Sequence, residues 1–121
     1  MAFPVDEDQI AAAEAQLGRK LPAGHRARLA RNNGGEVVVG GQEWTLFPVL
    51  DESDRKRSAR TANHIVWETE QARAWPAFPA QAVAIASNGL GDLLVLVPGS
   101  EGPQLWRHET GKTEPVEVSW S

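Results

Sequence analysis

Residues 17–35, LGRKLPAGHRARLARNNGG from Leu17 to Gly35, decide how this chain folds. Gly18 supplies a left-handed stop for a helix arriving from the N-terminal side. Pro22, with its fixed φ and missing N–H, suits the first residue of a second helix. Leu21, His25 and Leu29 then recur at spacings of four, giving a narrow apolar face with Arg26, Arg28 and Arg31 around it. Asn33-Gly34-Gly35 ends that helix and turns the chain. The stretch is helix stop, helix start and helix stop, and contains no pattern that carries catalysis.

Upstream, Asp6 stands where a helix cap belongs, Gln9 can close a capping box, and Val5 can staple against Ile10. Ile10, Ala13 and Leu17 form the buried stripe of this first helix. Downstream the period changes from helical to alternating. Glu36–Val39 and Glu43–Phe47 flank Gly40-Gly41 and read as a β-hairpin. Residues 51–60 (DESDRKRSAR) lack an apolar anchor and read as a mobile charged loop. Residues 61–75, with Ile65, Trp67, Ala72 and Trp75, read as a helix. The rigid link PAFPA (76–80) leads to strands at Ala82–Ala86, Leu93–Val97, Gln104–His108 and Val116–Trp120. The unbroken apolar run at 93–97 implies burial on both faces. Helices first and strands later predict an α+β fold, with N-terminal helices packed against a largely antiparallel sheet.

The 121 residues suit one domain spanning 1–121. A chain of this size buries roughly two-thirds of its surface, enough for a core without staples. Cysteine is absent, which excludes disulfides and thiolate metal sites. The N-terminus has no basic segment followed by an apolar one, and the longest aliphatic run is far short of a membrane span, so the chain is expected to stay in the cytoplasm. Residues 1–60 hold nine Lys/Arg and nine Asp/Glu, whereas residues 61–121 hold three and seven, so the second half supplies the whole net charge of −4. Such a balance argues against nucleic acid as the partner and favours a basic protein. Five tryptophans each need a partner for the indole N–H if buried, so most are expected at the core and one or two as exposed anchors.

Chemistry-bearing patterns are sparse. His25, His64 and His108 are scattered singly with no metal-ligand spacing, so no metal or cofactor is expected. The serines sit in loops or at strand ends, none in a nucleophile elbow. Asn88-Gly89-Leu90-Gly91-Asp92 lacks phosphate-loop spacing and joins two strands, which makes it a hairpin turn needing positive φ. Of the carboxylate clusters, Asp6/Glu7/Asp8 is explained by helix capping. Asp51, Glu52 and Asp54 interleave with Arg55, Lys56 and Arg57 in the charged loop, and Glu68 and Glu70 flank Trp67. An acidic patch beside an aromatic suits docking to a basic protein, so Asp51, Glu52, Asp54, Trp67, Glu68 and Glu70 are the candidate partner-binding residues.

Three segments in series resemble the SUKH superfamily, which includes a yeast cell-wall-synthesis regulator and many bacterial immunity proteins. They are Leu21-Pro22 through Asn33-Gly34-Gly35, Phe78-Pro79 through Ala84-Ile85-Ala86-Ser87-Asn88-Gly89-Leu90-Gly91-Asp92, and Leu105-Trp106-Arg107-His108-Glu109-Thr110-Gly111. The resemblance implies N-terminal helices on a sheet, motifs that are structural, no catalytic set, and a turn-stabilising role for His108. Its bacterial members imply an immunity protein that blocks a cognate toxin domain stoichiometrically; the yeast relative implies a regulatory scaffold instead. Two departures stand out. His25 and Arg28 replace aromatic residues on the second helix, which predicts a partly open face there. The usual terminal helix is absent by Ser121, which predicts a sheet face left exposed or used by a partner.

Overall fold

The computed structural model describes residues 3–100 and 102–120. Four helices, α1 (Glu7–Leu17), α2 (Ala23–Arg31), α3 (Arg55–Arg60) and α4 (Ile65–Ala72), precede or interrupt six strands: β1 (Glu36–Val39), β2 (Gln42–Leu46), β3 (Val83–Ser87), β4 (Leu93–Leu96), β5 (Gln104–Trp106) and β6 (Thr113–Pro115). The strands form one antiparallel sheet in the order β1-β2-β3-β4-β5-β6. The sheet curls, and an isolated bridge from Ser119 to Val38 brings the chain end back to its first edge, with Ser119 N–H donating to Val38 C=O at 2.9 Å. The fold is α+β, as the sequence predicts.

The main core lies between the helices and one face of the sheet. Ile10, Leu29, Ile65, Leu46, Ile85, Leu94 and Leu96 are fully or almost fully buried in it. The opposite face of β4 is covered as well, since Val95 packs with Ala82, Trp106 and Phe78. Trp106 sits edge-on to Phe78 at 5.3 Å and donates its indole N–H to the Ala77 carbonyl at 3.1 Å. Two-sided burial therefore explains the unbroken apolar run of β4.

The Asn-Gly-Gly turn is the junction of these parts. Asn33 N–H donates to Phe3 C=O at 2.7 Å. Its side-chain amide donates to Val49 C=O at 2.7 Å and accepts from Val49 N–H at 2.8 Å, as a neighbouring strand would. Gly34 and Gly35 follow with φ of 116° and 76°, conformations that a side chain strains. Arg28 clamps the turn from α2, donating to the carbonyls of Gly34 at 2.8 Å and Glu36 at 3.1 Å. Helix α4 is seated by a similar device. The Thr69 hydroxyl accepts from Ala84 N–H at 3.0 Å and donates to Ala84 C=O at 3.3 Å, where the β3–β4 register shifts between Ala84 and Ala86.

Several local expectations are corrected. Asp6 caps α1 by position only, because its side chain makes no cap bond; its carbonyl takes Gln9 N–H instead. Pro22 is the cap before α2 and not its first residue. The block 51–60 is no uniform loop: Asp54 accepts from Arg57 N–H at 2.8 Å and starts α3. The helix expected over 61–75 is shorter, because His64 caps it and Arg73 ends it. The last strand is β6 at 113–115, whereas 116–120 touches β1 by the single Ser119 bridge.

Asn33→Ala leaves a buried N–H and C=O of Val49 without partners, each costing about 1–3 kcal/mol. Urea unfolding of this variant is expected to show a loss of about 3 kcal/mol, and a loss below ~0.5 kcal/mol would refute the junction role.

Candidate functional site

The second-helix face expected to be open is closed. His25 is fully buried and Arg28 is 6% exposed. The Trp120 indole stacks on the His25 ring with centroids 4.9 Å apart and planes 10° from parallel. It lies so near α2 that a Cβ added to Gly24 would come within 2.7 Å of the indole. Val116 and Val118 pack against the same core. The 116–120 segment thus closes the face of α2 that carries His25. Neither His25 ring nitrogen has a partner among the described residues. Burial first, and Arg28 second, drive its pKa down to about 3.

The six candidate partner-binding residues divide into two sets. Asp51 is buried at 3% exposure; its carboxylate accepts from Ser53 N–H at 3.0 Å and its own N–H donates to the Thr61 hydroxyl at 2.9 Å. Those inward bonds make it a scaffold residue, a correction to its reading as a docking group. Asp54 is exposed but engaged as the cap of α3 and lies 3.6 Å from Arg57 Nε.

The other four surround the start of α4. Ile65, Val66, Thr69 and Ala72 bury one side of the helix. Trp67 and Glu70, three residues apart, therefore fall together on the outer side, where Trp67 is 43% exposed. Glu68 is half-buried beside Trp67, and burial pushes its carboxyl up. Glu52 lies at a dimple of about 70 Å³ that it lines with Gln9, Gln16, His64 and Val66. His64 is the hub. Its Nδ1 accepts from Trp67 N–H at 3.3 Å. Burial lowers its pKa, and the opposing pull of Glu70 and Glu52 places both carboxylates within its field. The arrangement is an exposed indole on a rigid helix with two exposed carboxylates and a third half-buried beside it.

A second exposed aromatic, Trp75 at 51%, lies edge-on to Trp106 and His108 at 6.4 and 6.3 Å. His108 gives both its backbone N–H, at 3.1 Å, and its ring Nδ1, at 2.9 Å, to Asp92 Oδ1. Burial would raise the Asp92 carboxyl, but the bonds from His108 and Asn88 outweigh it and hold the pKa below its ordinary value. This pair ties the β3–β4 turn to the β5–β6 turn, the turn-stabilising role that the resemblance implies. Single-residue spacing could not show it, because Asp92 and His108 meet only through the sheet register. Among the described residues no group of three or more His, Asp or Glu could hold a metal ion, and no helix is long and apolar enough to cross a membrane.

Helices lie on one face of a curled antiparallel sheet, with the sequence motifs tied up in turns and caps. The chain belongs to the SMI1 / KNR4 family (SUKH-1), which it matches over residues 4–121. Domains of this family generally act through protein–protein contact. No curated protein and no solved structure gives a significant match.

The buried neutral His25 makes stability pH-dependent. Its folded pKa lies below the unfolded 6.5, so the unfolded chain binds the extra proton between those values and stability falls as pH drops through 6.5. At pH 4.5 this one group should cost about 3 kcal/mol. Urea midpoints measured from pH 7 to 4.5 should flatten in His25→Phe relative to the parent; equal slopes in both would remove His25 as the cause.

Proposed function

We propose that this chain is a cytoplasmic bacterial immunity protein that binds a cognate toxin domain and blocks it stoichiometrically. The observation that carries the reading is the exposed Trp67 with Glu68 and Glu70 on a helix locked to the sheet, and Glu52 near the His64 that caps that helix. A rigid indole is an effective hot-spot anchor because it buries a large area at little entropic cost. Carboxylates around it steer a basic partner and discriminate against acidic ones. Toxins that attack nucleic acid carry basic surfaces, so an acidic inhibitor face complements them. A standard interface takes about 800 Å² from each partner, a little over a tenth of the 6871 Å² exposed here. Inhibition requires only occupancy, with no turnover and no cofactor. Protection at cellular concentrations calls for nanomolar affinity, around −12 kcal/mol.

Co-expression with a toxin domain encoded beside this gene tests the reading. The parent chain should restore growth and bind the toxin one to one. Trp67→Ala should weaken binding by about 2 kcal/mol, some thirtyfold. Reversing Glu52 and Glu70 to Lys should slow association and reduce its salt dependence. Failure of the parent chain to protect, with recovery only of an endogenous non-toxic partner, would favour the regulatory scaffold.

A further inference from the structure

Residues 116–120 lie over α2 as a strap. Val116 and Val118 are half-buried against the core, Glu117 and Ser119 are exposed, and Trp120 covers His25. Among the described residues, hydrogen bonds hold the strap at three points. Val116 N–H donates to Pro103 C=O at 3.2 Å, Ser119 N–H donates to Val38 C=O at 2.9 Å, and Trp120 C=O accepts from Arg31 Nη2 at 3.4 Å. A groove of about 520 Å³ separates much of the strap from β1, lined by Val38, Val39, Gly40 and residues 116–119. A segment so lightly fastened opens at lower cost than β3 and β4, each of which is paired on both edges.

The strap is also the cover of a buried ring that has no polar partner. Neither His25 nitrogen is hydrogen-bonded among the described residues, and the Trp120 indole lies parallel to the ring at 4.9 Å. A neutral imidazole tolerates this setting at the cost of unmade hydrogen bonds. An imidazolium does not, because a buried charge without a partner is far more costly.

The charged groups of the surrounding elements offer no relief. Arg28 and Arg31 on α2 are themselves cations. Glu14 of α1 accepts from Leu21 N–H and Arg26, Glu36 of β1 is hydrogen-bonded to Glu43, and Glu117 on the strap is exposed. Lifting the strap lets water reach the ring, so a proton on His25 and a closed strap oppose each other.

We propose that residues 116–120 form an acid-sensitive latch, closed over the neutral His25 ring and released by its protonation while the sheet stays folded. With the latch closed, burial and then Arg28 hold the His25 pKa at about 3. With it open the ring is hydrated and its pKa returns toward 6.5. The open form therefore binds the proton more tightly, and the opening equilibrium rises as pH falls through 6.5. Opening bares the His25 side of α2 and the Val38 edge of β1 together, so one proton changes what this end of the molecule presents. The latch uses none of the residues around Trp67 and stands whether or not the chain neutralises a toxin.

Native-state hydrogen exchange followed by NMR, corrected for the intrinsic pH dependence of amide exchange, tests this. Ser119 N–H, bonded to Val38, reports the latch; Ala84 N–H, bonded to Thr69, and Phe47 N–H, bonded to Ile85, report the sheet. Ser119 should be less protected than either at every pH, by about tenfold or more. Its protection should fall roughly seventyfold between pH 7 and 4.5. His25→Phe keeps a ring beneath Trp120 that cannot be protonated, and should abolish that fall. Gly24→Ala places a methyl 2.7 Å from the indole without weakening the helix, and should lower Ser119 protection already at pH 7. Equal protection of Ser119 and Ala84 at each pH, a pH dependence that survives in His25→Phe, or a Gly24→Ala variant whose Ser119 exchanges as in the parent would overturn the proposal.

Discussion

The structure depends on how the chain leaves α2. A helix that ends against a sheet must satisfy its last carbonyls and the polar groups of the turn that follows, because water is excluded there. Here the solution is a pair of side chains. Arg28 reaches past its own helix end to bind the turn carbonyls, and Asn33 substitutes its amide for a strand at Val49. Leu46 N–H then donates to Gly35 C=O, and Ile65 N–H to Pro48 C=O, so the first hairpin and α4 are both referenced to that junction. Without the glycines the backbone could not take the left-handed steps that bring these groups together.

This constraint separates scaffold from surface. Thr69 fills the β3 irregularity and fixes the rotation of α4, which sends Trp67 and Glu70 outward. The Asp92–His108 pair and the Trp106–Ala77 bond lock the far end of the sheet in the same way. The motifs by which the chain resembles its family are therefore spent on internal polar satisfaction. The outward side of α4, with Trp67 and Glu70, takes no part in that internal bonding.

Much of the frame was legible in the sequence because its signals are local. Gly18 takes φ 77° as a helix stop should, and the Gly40-Gly41 hairpin joins Val39 to Gln42 in register. The alternation from 36 to 47 and the apolar run at β4 also read correctly, since burial follows period directly. What escaped was non-local. Nothing near Asp51 in sequence announces that Thr61 and Ser53 will bind it inward, so a buried carboxylate looked like a surface one. His25 and Arg28 appeared to open a face because Trp120, 95 residues away, is what closes it. The charged block at 51–60 hid α3, whose start depends on one cap and whose arginines rest on Phe3. The acids beside Trp67 stood next to it in the sequence, whereas Glu52 meets α4 only at the dimple it shares with Gln9 of α1, His64 and Val66.

The central claim is a division of labour in which the Asn-Gly-Gly junction holds the frame and the outer side of α4 meets the partner. Hydrogen–deuterium exchange of the chain, free and bound to the toxin domain proposed as its partner, tests that division most directly. The account predicts new protection around Glu52 and across residues 64–71, with the slow exchange of Val49 and Ala84 unchanged. Protection confined to the loops around Leu90 and Trp75, with α4 exchanging as in the free chain, would contradict it.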